Sequence, residues 1–137
     1  MIPVDAMEQY ATSQIKELLD AMVFQLHQAA RLQDPESIHK MRVSIRRLQQ
    51  ALRVFAQYVP RSGAKRIRKR LKQVMKHAGE VRNRDIALKL VGKQSSGSKE
   101  LLQQRKAAKA DLSAILHQMS RPDLAVKWRM RLGLNGK

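Results

Sequence analysis

The sequence contains no cysteine, which excludes disulfides and thiolate chemistry. Aromatic residues are also scarce, with one Trp, two Tyr and two Phe, so the base-stacking platforms of single-strand nucleic-acid binders are not evident. No apolar run approaches the roughly eighteen residues of a membrane span. The first residues, "MIPVDAMEQY", lack the basic and then apolar pattern of a signal peptide. These absences together predict a soluble, cytoplasmic protein.

Acidic residues are few relative to basic ones. Among 137 residues there are 28 Lys and Arg against 11 Asp and Glu, for a net charge of +17. Residues 1–38 contain six acidic residues and two basic ones, whereas residues 39–89 contain sixteen basic and two acidic ones. A charge of this size attracts polyanions over long distances. We therefore expect a polyanionic partner that binds the middle of the chain.

Helical spacing of apolar residues runs through most of the chain, and no stretch shows the alternation of a strand. The length suits one domain. We predict an all-α fold, an antiparallel four-helix bundle with long helices over residues 1–119. Residues 120–137 form a C-terminal tail that could include a short helix. Asp34 and Pro35 begin the second helix, and Pro60 ends it. Ser62 caps the third helix, within which Gly79 marks an interior kink or a close-contact point. The stretch "KQSSGSK" is a loop, and a fourth helix covers residues 98–119.

The second helix carries the stretch "IHKMRVSIRRLQQALRVF", residues 38–55, which has five Lys and Arg, one His and no carboxylate. An apolar stripe on one face is predicted to pack in the core, and it consists of Met41, Ile45, Leu48, Leu52 and Phe55. A neighbouring face carries a basic row about 21 Å long. The row consists of His39, Arg42, Arg46 and Arg53, with Lys40 and Arg47 at its edge. The third helix has a similar plan. Its inward residues are predicted to be Ile67, Leu71, Val74, Ala78 and Val81. Its basic residues away from that face are Lys65, Arg68, Lys69, Lys72 and Lys76.

These rows contain like charges four residues apart, such as Arg42 and Arg46 or Lys65 and Lys69. A solvated helix face usually mixes signs, because opposite charges at this spacing stabilise a helix and like charges destabilise it. Arginine also suits phosphate, since its planar guanidinium donates paired hydrogen bonds. We interpret the rows as an anion-binding surface. The residues alone favour phosphates over bases without excluding a nucleic acid.

The runs "IHKMRVSIRRLQQALRVFAQYVP" and "HAGEVRNRDIALKL" resemble the CHAD domain, the conserved histidine α-helical domain, over about residues 5–119. The resemblance implies a helical bundle that binds inorganic polyphosphate, often in proteins associated with polyphosphate granules. It maps the phosphate contacts onto His39, Arg42, Arg46 and Arg53. The binding set implied as a whole is His39, Arg42, Arg46, Arg47, Arg53, Lys65, Arg68, Lys69, Lys72 and Lys76.

Two features depart from the family pattern. The chain corresponds to about one of the two four-helix halves that members usually contain, and a homodimer could supply the other half. The family's Arg-Asp-x-Asp motif reads Arg82-Asn83-Arg84-Asp85 here. We interpret Arg82 and Asp85 as a structural ion pair or helix cap.

Catalysis is not expected, because the second and third helices offer no paired carboxylates to hold magnesium. The four histidines are widely separated and no cysteine accompanies them, so neither zinc nor any other metal or cofactor is predicted. The alternative function is non-specific nucleic-acid binding, which the net charge favours in any case. Membrane docking is disfavoured, since the rows lack large apolar residues that could insert into a bilayer.

His39 generates a pH prediction. Imidazole becomes charged as the pH falls from about 8 to 6, which should strengthen its interaction with phosphate. We expect polyphosphate affinity to rise over this range, and to rise less in a His39→Ala variant, as measured by fluorescence anisotropy at constant ionic strength. Identical pH profiles for the two proteins would show that His39 is not a ligand.

Overall fold

The computed structural model describes residues 4–92 and 96–134. Every regular element in these two ranges is helical, which confirms the prediction of an all-α fold. Part of the loop predicted between the third and fourth helices, residues 93–95, lies outside the described residues. The elements are α1 (Val4–Leu32), α2 (Pro35–Val54), a 3₁₀ turn (Ala56–Tyr58), α3 (Arg61–Val91), α4 (Ser98–Met119) and α5 (Leu124–Arg131).

The start of α2 follows from its first residues. The Asp34 carboxylate caps the helix by accepting a hydrogen bond of 2.7 Å from the Ser37 amide. Hydrogen bonds from the side chain and backbone of Ser37 lower the pKa of Asp34. Pro35 is tolerated at the first helical position, where the amide has no partner within the helix. The predicted start is confirmed.

Two predicted boundaries are wrong. The second helix ends at Val54 rather than at Pro60, because the chain tightens into the 3₁₀ turn first. Ser62 does not cap α3, since that helix begins at Arg61 and Ser62 already lies in its first turn. Pro60 precedes α3 directly and has no amide proton that would need a partner.

The core lies between two antiparallel helix pairs, α1 with α2 and α3 with α4. The apolar stripe predicted on α2 is confirmed, since Met41, Ile45, Leu48 and Leu52 are completely buried. Phe55, predicted at the end of that stripe, is half-buried and packs edge-on against Tyr10. The predicted inward residues of α3 are all buried, namely Ile67, Leu71, Val74, Ala78 and Val81.

The last helix, α5, packs onto α1 and α3. Trp128 and Leu132 are buried in the common core, and Arg129 forms an ion pair of 2.8 Å with Asp20 of α1. Gly63 allows the backbone of α5 to approach α3 closely, because a Cβ atom at position 63 would lie 2.1 Å from the Arg131 carbonyl oxygen. Residues after 119 therefore contribute to the same core as the four long helices.

The C-terminal part of α3 and the N-terminal part of α4 extend beyond this core. No hydrophobic side chain of residues 82–91 or 98–107 is buried, and Ile86, Leu90 and Leu102 are exposed. We call these two segments the distal arm. Gly79 lies just before it on α3. The predicted close contact at Gly79 is wrong, since a Cβ atom there would meet nothing within 4 Å.

The two glycines of α3 give a matched pair of substitutions. We expect Gly63→Ala to displace α5, because the added methyl group collides with backbone that cannot move independently. The only tryptophan, Trp128, lies in α5 and should then show red-shifted fluorescence. Gly79→Ala should leave the emission unchanged and stabilise the protein by about 0.5–1 kcal/mol, as alanine favours helix more than glycine. Equal emission spectra for the two variants would contradict the Gly63 contact.

Candidate anion-binding surface

The basic row of α2 faces α3. Lys40, on the other side of α2, pairs with Glu36 at 3.4 Å and borders a groove with Phe24 and Gln28 of α1. His39 instead lines a cleft with Arg82 of α3. Arg42 lies close enough to Arg82 for the two charges to interact. The row therefore lies beside α3, and its cations meet those of the neighbouring helix.

Helical periodicity places the other predicted residues of α2. Arg46 and Arg53 lie within about 40° of Arg42 around the helix axis and share its side. Arg47 is exposed and lies about 20° from Lys40, on the α1 side. Four of the five binding residues predicted on this helix, His39, Arg42, Arg46 and Arg53, therefore share one side, and Arg47 lies apart from them.

The predicted residues of α3 divide in the same way. Arg68 lies about 40° from Arg82 around the helix axis, on the side toward α2. Lys65, Lys69 and Lys72 are exposed on the side away from the buried face. Lys76 borders a groove between α3 and α4 together with His77. We define the α2–α3 basic surface by the basic residues on the facing sides of the two helices, His39, Arg42, Arg46, Arg53, Arg68 and Arg82.

Arg42 lies in the most unfavourable position of this surface. Its side chain is half-buried, and its Nε atom is buried without a hydrogen-bond partner. Burial lowers the pKa of Arg42, and the charges of Arg46 and Arg82 lower it further. A guanidinium still carries its charge at neutral pH, so this free-energy cost is present in the folded protein under physiological conditions.

Carboxylates do not relieve this repulsion. The ion pairs within residues 6–92 and 96–134 are Lys40–Glu36, Arg105–Asp85, Lys127–Asp123 and Arg129–Asp20, and none includes a residue of the α2–α3 basic surface. An anion bound from solution would supply the missing partners.

Arg82 was missed as a candidate site residue. The interpretation of Arg82 and Asp85 as an ion pair or helix cap is wrong, because Asp85 pairs with Arg105 of α4 and the C-terminal cap of α3 is Gly92. A signal was present in the sequence, since Arg82 is four residues after the core residue Ala78 and therefore lies beside the buried face. Its approach to Arg42 could not be predicted without knowing how α2 and α3 pack.

A cleft of about 250 Å³ continues the surface beyond His39. It lies where the distal arm leaves the bundle, between the α1–α2 turn and the two arm helices. Its cationic side chains are His39, Arg82, Lys89, Arg105 and Lys109. The two residues from α4 had no sequence signal, because the periodicity of α4 does not reveal which helix its polar face approaches.

Searches for two other kinds of site gave negative results within the described residues. No group of three or more His, Asp or Glu side chains is placed to hold a metal ion. No helix in the described parts of the chain is long and apolar enough to cross a bilayer.

Comparison with known proteins identifies the family. The family model of the CHAD domain matches residues 13–135, which is most of the chain. The protein therefore belongs to the CHAD domain family, as its sequence resemblance indicated. The match extends through α5, beyond the residue 119 at which the resemblance was expected to end. Neither the curated proteins nor the solved structures contain a significant match to the chain.

The position of Arg42 predicts that its side chain lowers the stability of the fold. Arg42→Met removes a buried unpaired Nε and two like-charge contacts while keeping much of the apolar volume, so we expect the free energy of unfolding to increase by about 1 kcal/mol. Urea denaturation followed by circular dichroism measures this change. Arg47→Met is the matched control on the same helix and should change stability by less than about 0.5 kcal/mol. A less stable Arg42→Met protein would contradict our account of this position.

Proposed function

We propose that the protein binds inorganic polyphosphate on the α2–α3 basic surface without changing it chemically. The observation that carries this proposal is Arg42, held half-buried beside Arg46 and Arg82 with no carboxylate partner. Membership of the CHAD domain family, which is associated with polyphosphate binding, supports the identity of the anion. Phosphate oxygens would accept hydrogen bonds from the solvent-accessible nitrogens of these guanidinium groups and offset their mutual repulsion.

The shape of the surface favours a long anion. The row from His39 to Arg53 is about 21 Å long, so a small anion could contact only part of it. A chain of phosphates could neutralise its cations simultaneously, and each contact after the first would form at high effective concentration. Affinity should therefore increase with chain length and decrease steeply with salt.

Binding without catalysis is part of the proposal. Phosphoryl transfer needs a positioned base or bound metal ions near the phosphate. Asp85, the carboxylate that lines the cleft next to His39, is already paired with Arg105. We expect long-chain polyphosphate to keep its length during incubation with the protein and Mg²⁺, as measured by gel electrophoresis.

We also propose that two copies associate, because the resemblance to the CHAD domain implies two four-helix halves around the basic surface and a second copy could supply one of them. A two-fold axis would then place two basic surfaces around one polyphosphate chain. Cytoplasmic polyphosphate granules are the proposed location. Light scattering with and without polyphosphate would determine the oligomeric state.

Competition binding tests the choice of ligand. Labelled long-chain polyphosphate is bound at about 150 mM salt and challenged with single-stranded DNA, duplex DNA or RNA at equal phosphate concentration. We expect nucleic acids to compete only in large excess, because the interactions proposed here need phosphates and no base stacking. The double variant Arg42→Ala and Arg46→Ala should lose this preference.

A matched control removes two cations elsewhere. Lys16 of α1 and Lys127 of α5 are both exposed, so Lys16→Ala with Lys127→Ala gives the same change in net charge. This variant should retain the preference for polyphosphate. Equal competition by all polyanions in the wild type would instead support the alternative function, a non-specific nucleic-acid-binding protein whose net charge determines affinity.

A further inference from the structure

The cleft beside His39 differs from the rest of the basic surface in its geometry. The cations of α2 lie along an open helix face, whereas those of the cleft come from three helices around a concave volume of about 250 Å³. His39 belongs to α2, Arg82 and Lys89 to α3, and Arg105 and Lys109 to α4. One phosphate group could therefore be contacted from several directions there.

The charge inside this cleft is strongly unbalanced. Four Lys and Arg side chains line it, against one carboxylate, Asp85, which is engaged by Arg105. Lys109 is half-buried and has no ion-pair partner among residues 6–92 and 96–134. The buried side chains of Ile38, Ala78 and Val81 form part of the wall. Apolar walls reduce the local dielectric constant and strengthen the attraction for an anion.

A linear polyphosphate contains two chemically different kinds of phosphate. An internal phosphate has two free oxygens and one negative charge. A terminal phosphate has three free oxygens and a second ionisation near neutral pH, like a phosphomonoester. The terminal group therefore carries more charge, accepts more hydrogen bonds and projects from the chain end, which suits a concave site with converging cations.

We propose, building on the proposed function, that this cleft is an end site that binds the terminal phosphate of a linear polyphosphate. Internal phosphates then follow the α2–α3 basic surface from His39 toward Arg53. The two parts are continuous, because His39 belongs to both and Arg82 lines the cleft while lying close to Arg42. The terminal phosphate can come from a long chain or from a short linear oligophosphate.

The first test compares phosphates with and without a terminal group. Titration calorimetry on the full chain uses linear tripolyphosphate and cyclic hexametaphosphate, a ring that has more phosphates but no terminus. We expect the linear compound to bind more tightly. Long-chain polyphosphate with both termini capped as phosphoramidates should bind more weakly than uncapped chains of the same length. The measurements with tripolyphosphate and with capped and uncapped long chains thus distinguish binding of short oligophosphates from binding of the ends of long chains.

Substitutions then locate the site. Lys109→Gln should weaken tripolyphosphate binding about tenfold, the effect of losing one charge-assisted contact. Lys106→Gln is the matched control, because Lys106 is exposed on the same arm helix and does not line the cleft. Asp85→Asn should strengthen binding, since it removes the only carboxylate of the cleft and releases Arg105. Trp128 fluorescence verifies that each variant is folded.

The outcomes separate this inference from the proposed function. Equal tripolyphosphate affinities for Lys109→Gln and Lys106→Gln, or no effect of capping, would overturn the end site. If Arg42→Ala with Arg46→Ala still loses the preference for long-chain polyphosphate over nucleic acids in that case, the α2–α3 basic surface keeps its function. If that double variant keeps the wild-type preference, the proposed function fails together with the end site.

Discussion

Apolar packing on one face of α2 and of α3 holds like charges close together on the adjacent face of each helix. Each pair of like charges four residues apart costs a few tenths of a kcal/mol. Each fully buried Leu, Ile or Met side chain contributes about 1.5–3 kcal/mol, and α2 alone buries four of them completely. Packing therefore exceeds the repulsion by roughly an order of magnitude, and the cations stay in place without a ligand. In the proposed function, a ligand would bind a surface whose backbone is already ordered, which would reduce the entropy lost on binding.

The position of α3 depends on contacts far from the basic surface. The close approach of Arg131 to Gly63 holds α5 against the start of α3, and the Arg129–Asp20 ion pair ties the same helix to α1. Near the other end, Arg105 pairs with Asp85 and joins α4 to α3. These contacts bracket the segment of α3 that faces α2. The short C-terminal helix thus supports a surface that it does not itself form.

Much of this arrangement could be predicted from helical period and local chemistry. The buried stripe of α2 and the Asp34 cap follow from spacing and from hydrogen bonds within a few residues. The adjacent Arg46 and Arg47 show what such reasoning cannot decide. Period alone separates them by about 100°, but only tertiary packing decides which side faces α3. The burial of α5 was unpredictable for the same reason, since it depends on Gly63, more than sixty positions earlier in the chain.

The distribution of carboxylates explains why the surface stays unneutralised. Asp20 pairs with Arg129, and Glu36 pairs with Lys40 on the α1 side of α2. An acidic residue within the basic row would relieve the repulsion at Arg42, but it would also compete with every incoming phosphate and repel it. Keeping carboxylates outside the row accepts a modest loss of stability and leaves the guanidinium groups available. In the proposed function, the stability lost at Arg42 is thus the physical counterpart of its readiness to bind an anion.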